Sequence, residues 1–369
     1  MSKNVDITKI IESLEVKDLT NGLHGNHCIN LVMQKIIKNL ALNMKCNPQI
    51  HRNSPIVSLS DNYNYLNYPL DGAARDSRYT KYVTDNLILR TQTSSMLPTV
   101  LSDISLIDLE KDVLLACPGI VYRRDVIDRL HVPNPHQLDL WIISNTEKTK
   151  DDLLMMIRVI LDNVLSGYQY KLTDALHPYT TDGVQIDVLV DGEWIEIGEC
   201  GIAAKSVLDI SGLPIYGLAM GLGLDRIAMI VKKIKDIRLL RDPNKKISGQ
   251  MYDLNPYQDV SKMPVNKKDI SIAVDHDLQE EEIGDIVNET CSEYLDYIEE
   301  IKVISETPYD KLPDVAIKRM GMSPHHKNVL LRIVLRHLSK TITTEEAKSI
   351  RNIIYNKLHK GSCKESDYI

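Results

Sequence analysis

The sequence predicts an α+β fold with two folded units, and three observations carry that expectation. Strand-like apolar runs dominate the middle of the chain, with amphipathic helices outside them, which favours an antiparallel sheet. A polar stretch holding three prolines, RDPNKKISGQMYDLNPYQDVSKMP, interrupts the pattern at 241–264. Beyond it, segments alternate as β-α-β-β-α, most of a ferredoxin-like unit. At 369 residues two domains are the default expectation. The expected boundaries are a loosely attached N-terminal lead-in at 1–25, a catalytic domain at 26–240, a linker at 241–262 and a ferredoxin-like domain at 263–369.

Each element has a local reason. Within 26–42, Ile29, Val32, Met33, Ile36, Ile37 and Leu40 fall on one helical face. Ile56 and Val57 suggest a short strand. The runs at 119–127, 136–143, 184–190 and 193–198 read as strands, and 151–165 opens with two acids and continues as an amphipathic helix. In the C-terminal part, 267–274, 298–306 and 328–338 are strand-like, whereas 277–295 and 343–358 are helical.

Composition excludes several classes. Hydrophobic residues at 43% and charged residues at 26% argue against disorder. No apolar run reaches the roughly 18 residues of a membrane helix, so no membrane partner is expected. The six cysteines show no CxxC spacing and read as reduced thiols. The first 18 residues carry Asp6, Glu12, Glu15 and Asp18, and the first Arg is Arg52. That is unlike a secretory or transit segment, so a cytoplasmic location is expected. The net charge of −7 excludes a generically basic nucleic-acid binder. One count is anomalous: there are 17 Tyr and 2 Trp but no Phe, where average usage gives about a dozen.

Three segments carry chemistry. GIVYRRDVIDRLHVPNPHQLDLWII (119–143) brings Arg123, Asp125, Gln137 and Asp139 to one hairpin, suited to polarising a phosphate and holding an amino acid. On spacing alone, an edge hairpin with solvated charges fits as well. GLAMGLGLDRIAMI (217–230) places Gly217, Gly221 and Gly223 where backbone can approach a ligand, and leads into Asp225 and Arg226 at a helix start. HPYTTDGVQIDVLVDGEWIEIGECGI (177–202) carries Asp187 and Glu196, either metal-facing carboxylates or satisfied sheet-face acids.

Together these segments resemble the class II aminoacyl-tRNA synthetases, and within them the phenylalanyl-tRNA synthetase family. VYRRD…H…HQLDL resembles the second class II motif, GLAMGLGLDR the third, and the 26–42 helix the first. DNYNYLNYPLDGAARD (61–76), LRTQTS (89–94) and NPYQDVSKMPVNKKDISIAV (255–274) resemble further stretches of that family, the last opening its anticodon-binding domain. Both domains on one short chain look like the single-chain, organelle-type form. The resemblance implies ATP and Mg2+ as cofactors, and phenylalanine or a related amino acid and tRNA(Phe) as partners. It implies that Arg123 and Arg226 are catalytic. ATP would be bound by Arg123, Asp125, Pro135, Glu196 and Arg226, with Glu196 also on the metal. The amino acid would be bound by Gln92, Ser94, Gln137, Asp139, His177, Tyr179, Ala219 and Gly221. Class II enzymes usually dimerise through the first-motif helix, whereas the single-chain form is generally monomeric, so monomer and homodimer both stay open.

The chain departs from the family pattern at Pro135, where an aromatic stacks on adenine, and at Gln92, where the family has His. His177-Pro178-Tyr179 replaces an FPF-like wall, and Ala219-Met220-Gly221 an AFG-like stretch. These departures keep two alternatives open: a paralogue that activates another amino acid or uses a non-tRNA acceptor, and a non-catalytic tRNA-binding protein. For the tRNA itself, residues 315–364 hold eleven Lys or Arg against Glu345 and Glu346. Lys318, Arg319, Arg332, Arg336, Lys348 and Arg351 are the candidate phosphate contacts. A solvated helix face balanced by the acidic 275–314 region is the alternative.

Overall fold

The computed structural model describes residues 7–77, 79–105, 109–123, 128–260, 265–337 and 340–365. It divides into two units. The first comprises Met1–Arg123, Asn134–Ile234 and Gly249–Tyr257, and the second Arg124–Pro133, Lys235–Ser248 and Gln258–Ile369. Among the described residues no helix is long and apolar enough to cross a membrane.

The first unit is built on nine strands: β1 (Asn47–Ile50), β2 (Ile56–Ser58), β3 (Leu87–Leu89), β4 (Val113–Ile120), β5 (His136–Ser144), β6 (Tyr170–Asp174), β7 (Thr180–Val190), β8 (Glu193–Ala203) and β9 (Tyr216–Gly223). Seven of them form one sheet in the order β1-β4-β5-β9-β8-β7-β6, while β2 and β3 pair separately. The sheet is antiparallel except for the β1–β4 edge, which is parallel. The helices Cys28–Asn43, Lys150–Val164 and Leu224–Lys232 pack together over it. Lys150–Val164 starts with a capping box in which Thr149 and Asp152 exchange hydrogen bonds.

Several differences from the sequence reading have physical causes. The first hairpin strand begins at Val113 and ends at Ile120, and 124–127 of the expected run lie outside the described residues. The strand contains Pro118, which looks like a breaker. Pairing with β1 ends at Ala116, so Pro118 lies where no β1 neighbour needs its N–H. β6 escaped notice because it is a largely exposed edge strand without an apolar alternation. β7 and β8 are longer than expected and are joined by Asp191-Gly192, both at positive φ (50° and 89°), which suits a two-residue hairpin turn. Residues 7–25 are not a loose lead-in, and 1–6 lie outside the described residues. Helix Ile7–Glu15 sends Ile10 and Leu14 against Leu89, Ile120 and Tyr122, and Val16 joins them. The Lys232 ammonium is buried and donates to the Gln250 carbonyl (2.5 Å) and Asp253 Oδ1 (2.9 Å), which ties Gly249–Tyr257 to the first unit.

The second unit has the strands β10 (Asn266–Asp275), β11 (Ile298–Pro308) and β12 (His326–Leu335) in the antiparallel order β10-β12-β11. Helices Glu280–Thr290 and Thr344–Leu358 cover one face and bury Ile270, Ile272, Val274, Leu331, Ile333 and Ile350. The β-α-β-β-α order read from the sequence recurs with one helix added between β11 and β12. The helix Asp314–Met320, which the sequence reading missed, packs Met320 on Ala273 with Met322 in a second small core. Arg238 donates to the Ile298 carbonyl at 2.5 Å, and Ile237 N–H to the Arg129 carbonyl at 2.9 Å, so two stretches outside 263–369 belong to this unit.

Leu331 is fully buried at the centre of this core. Leu331→Ala is expected to destabilise the second unit by about 2–5 kcal/mol, read from the shift in its denaturant midpoint at unchanged m-value.

Candidate active site

The site starts from sheet register. Cys117, Asp139, Gly221, Glu199 and Gln185 are cross-strand partners along one row. The next row on the same face holds Leu115, Trp141, Ala219 and Gly201. On the central strand β9 the positions facing the site are therefore Ala219 and Gly221, with little or no side chain. A Cβ on Gly221 would meet only Asp139 Oδ2, at 3.8 Å, so open space lies above it. A Cβ on Gly217 would strike the Ile142 carbonyl at 2.9 Å, so Gly217 serves strand packing instead. The result is a trough floored by Ala219 and Gly221, with a carboxylate on each bank.

The two carboxylates have opposite environments. Asp139 is buried, and its donors among the described residues are neutral: Thr93 Oγ1 (3.2 Å), Trp141 Nε1 (3.3 Å) and the Ser94 backbone N–H. Burial dominates those hydrogen bonds, and the nearby Glu199 charge adds to it, so the Asp139 carboxyl is pushed up to about 7. Glu199 also loses solvation, which pushes its carboxyl up, but His177 Nε2 (2.6 Å), the Tyr179 hydroxyl (2.9 Å) and the Arg123 charge outweigh that and hold it below the ordinary value.

Aromatic rings wall the trough. Tyr179 lies 6.1 Å from Trp141, 6.3 Å from Tyr68 and 6.0 Å from His177 between ring centroids. The loop Thr93–Met96 docks on the other bank, where Thr93 N–H donates to Gln137 Oε1 at 3.3 Å. Ser94 is buried in that loop. Gln92 is committed at both ends of its amide: Oε1 accepts from the Tyr68 hydroxyl and Nε2 donates to the Asn62 carbonyl, each at 2.7 Å.

The arginines flank this trough. Arg123 follows β4, bridged to Thr80, and its charge reaches Glu199. Arg226 is in the first turn of Leu224–Lys232, and its Nη1 donates to the Glu196 carbonyl at 3.1 Å and lies 4.0 Å from Glu196 Oε2. Pro135 accepts the Val121 N–H at 2.9 Å and closes the hairpin. Asp125 lies outside the described residues. Among the described residues no group of three or more His, Cys, Asp or Glu could hold a metal. Mg2+ needs only one or two carboxylates when phosphates supply the rest, and half-exposed Glu196 is the carboxylate that fits. Asp187, its cross-strand partner, is buried and engaged by Gln185 and Lys171, as a satisfied sheet-face acid.

In the second unit the six candidate phosphate contacts split. Arg332 forks onto Asp269 (2.8 and 2.7 Å), Arg336 lies 2.6 Å from Glu299, and Arg351 pairs with Glu365. Lys318, Arg319 and Lys348 are exposed. In the trough, the sequence reading missed Glu199, Thr93, Tyr68 and Trp141. Glu199 was visible inside EIGECG, but an acid on a strand gives no sign of which face it takes.

This fold and trough define a class II synthetase core. The chain belongs to that family: the model of the class II tRNA synthetase core domain (F) matches residues 13–251. It is similar to the chloroplastic/mitochondrial phenylalanine–tRNA ligase of Arabidopsis thaliana, 25% identical over 83% of this chain and 70% of the plant protein. It is 24% identical to the mitochondrial phenylalanine–tRNA ligase of Dictyostelium discoideum, over 97% of this chain and 90% of that one. The phenylalanine–tRNA ligase alpha subunit of Gloeobacter violaceus is 33% identical over 48% of this chain and 55% of its own length. These relatives overturn the expected cytoplasmic location. Those covering most of the chain are enzymes of mitochondria or chloroplasts. The acidic first residues and unlinked cysteines carry no information that separates the cytoplasm from an organelle interior.

The Asp139 position sets a pH dependence. If Asp139 takes the substrate ammonium, as the family resemblance implies, binding needs the ionised carboxylate, and protonation removes that partner. The dissociation constant for the amino acid is therefore expected to rise about tenfold from pH 8 to pH 6. Asp139→Asn should weaken binding and flatten the profile. A flat profile in the parent chain would exclude Asp139 as the ammonium site.

Proposed function

We propose that the chain activates phenylalanine with ATP and transfers it to tRNA(Phe). The observation that carries this reading is the trough: a buried carboxylate lacking a cation, an apolar floor at Ala219 and aromatic walls, flanked by Arg123 and Arg226. Asp139 and Gln137 hold the ammonium, with Ser94 closing the loop above it. Tyr179 and Tyr68 present ring surfaces to the side chain, with His177 beside them and Gln92 fixing Tyr68. The substrate carboxylate oxygen attacks the α-phosphorus, the bond to the β-phosphate oxygen breaks, and pyrophosphate leaves. Arg123 stabilises the charge at the α-phosphate and Arg226 that of the departing phosphates. Pro135 and Asp125 contribute to the nucleotide side, and Glu196 would hold Mg2+, which would neutralise phosphate charge. A ribose hydroxyl of the tRNA then attacks the acyl carbon and AMP leaves. Positioning and charge stabilisation suffice, with no protein nucleophile.

One observation favours a second reading. The Glu199–His177 pair and the Tyr179 hydroxyl make this wall polar, so a ring amino acid with a polar substituent is the alternative substrate. Amino-acid-dependent pyrophosphate exchange with each standard amino acid, followed by acylation of total tRNA, separates the readings. Exchange with Phe and charging of its tRNA supports the first. Exchange with another amino acid or without charging supports a paralogue, and no exchange a tRNA-binding protein.

Arg123→Ala is expected to cost about 10²–10³ in exchange rate. Replacing Lys318, Arg319 and Lys348 together by Ala should leave exchange intact, weaken charging, and flatten the salt dependence of tRNA binding. Unchanged charging would remove these residues from the tRNA face.

The missing Phe fits the same substrate. We infer that a chain free of the residue its own reaction supplies can be made when charged phenylalanine tRNA is scarce. During Phe starvation its synthesis should outlast that of Phe-containing proteins, measured by pulse labelling. A parallel fall would refute the link.

A further inference from the structure

The N-terminal segment reaches the sheet where β5 begins. His136, the first residue of β5, is fully buried, and its imidazole lies between two elements remote in sequence. Nε2 accepts the Leu19 backbone N–H at 3.0 Å, and Nδ1 lies 3.4 Å from Asp225 Oδ2. The same Asp225 oxygen accepts the His136 backbone N–H at 2.5 Å. An acceptor at Nε2 needs its lone pair, so this network assigns the neutral ring with its proton on Nδ1, facing Asp225. Asp225 is itself buried and immediately precedes Arg226.

The segment on the far side of the ring is firmly held. Asp18 Oδ1 accepts the N–H (2.9 Å) and hydroxyl (2.6 Å) of Thr20 and lies 3.8 Å from His136 Nε2. Arg52 donates to the Thr20 hydroxyl and carbonyl, each at 2.7 Å, and Asn30 donates to the same carbonyl at 2.6 Å. Upstream, Ile10, Leu14 and Val16 pack on Ile120 and Tyr122, immediately before Arg123. The N-terminal segment therefore touches the strand end that carries Arg123 and, through one ring, the helix start that carries Arg226.

We propose that His136 is a positioning residue: its neutral imidazole clasps Leu19 to Asp225 and so fixes the helix start from which Arg226 reaches the nucleotide phosphates. The phosphate role of Arg226 rests on the proposed function, but the clasp does not. The contact leaves the reacting atoms alone and acts through Asp225. A ring that accepts on one side and faces a carboxylate on the other can be split by substitution. Asn keeps an amide donor near the Nδ1 position and cannot reach Leu19, whereas Leu removes both contacts at similar volume.

Two measurements test this on the full chain. In pyrophosphate exchange, His136→Leu should raise KM for ATP about 10–100-fold, and His136→Asn should restore it to within about threefold of the parent. Limited trypsin cleavage after Lys17 should be faster in both variants, because both lose the Leu19 acceptor. Three results would overturn the proposal: parental KM in the Leu variant, an Asn variant no better than Leu, or unchanged cleavage after Lys17. If the Leu variant fails to fold, the Asn variant decides alone, by faster cleavage at near-parental KM. A parent chain without exchange would count against the proposed function, and the cleavage result would still test the clasp.

Discussion

The site depends on one constraint, the burial of Asp139 with no cation of its own. Its carboxyl has three neutral donors, and they fall short of what water supplied, so the proton stays on to about neutral pH. Two strands away in the same row, Glu199 has the opposite arrangement, with a cationic guanidinium and two ring donors. Strands lie roughly 4.8 Å apart, so the two acids stand about 10 Å from each other across Gly221. Environments that push two carboxyl groups apart divide their labour. Glu199 already has its partners and can only hold walls in place. Asp139 has no cationic partner among the described residues, and the proposed function fills that place with a ligand ammonium.

That division makes the bare strand β9 intelligible. Gly221 lies between the two acids and Ala219 in the next row on the same face, and both leave the space above the strand free of long side chains. Close packing reinforces this on β8, where a Cβ on Gly201 would lie 2.6 Å from Thr180 Cβ. The pattern of small residues therefore has two causes, ligand space at Gly221 and strand contact at Gly201 and Gly217. Sequence spacing cannot separate them, because both ask for the same residue type.

Much of the fold was legible because its signals were local. The heptad-like face of 26–42, the acidic start of 151–165 and the alternation in 328–338 each follow from neighbours in sequence. The elements that were missed lack such a signal. β6 is polar because it is an edge, and β4 hides behind Pro118, whose missing N–H is tolerated only through the length of β1. In the site, Arg123, Asp139 and Arg226 stand out as candidates because their motifs carry them. Glu199 does not, since its role comes from register across three strands. The N-terminal segment was misjudged for the same reason: Arg52, Asn30 and His136 hold it, and none of them is its neighbour in the chain.

The absence of Phe also has a structural consequence. A buried phenol hydroxyl is costly unless bonded, so each buried Tyr of this chain needs a partner. Tyr63 finds the Ala74 carbonyl (2.7 Å) and Thr80 Oγ1 (2.5 Å), and Tyr179 finds Glu199. Tyr68 takes Gln92 in the same way. Gln92 is itself a departure from the family pattern, and His177 bonds the same carboxylate as Tyr179. The departures are therefore not independent: tyrosines in a pocket of this kind require acceptors, and the acceptors add polarity to walls that would otherwise be hydrocarbon. Without the Tyr179 hydroxyl, Glu199 would keep His177 and the Arg123 charge but lose one donor, so the polarity of this wall is shared among several positions.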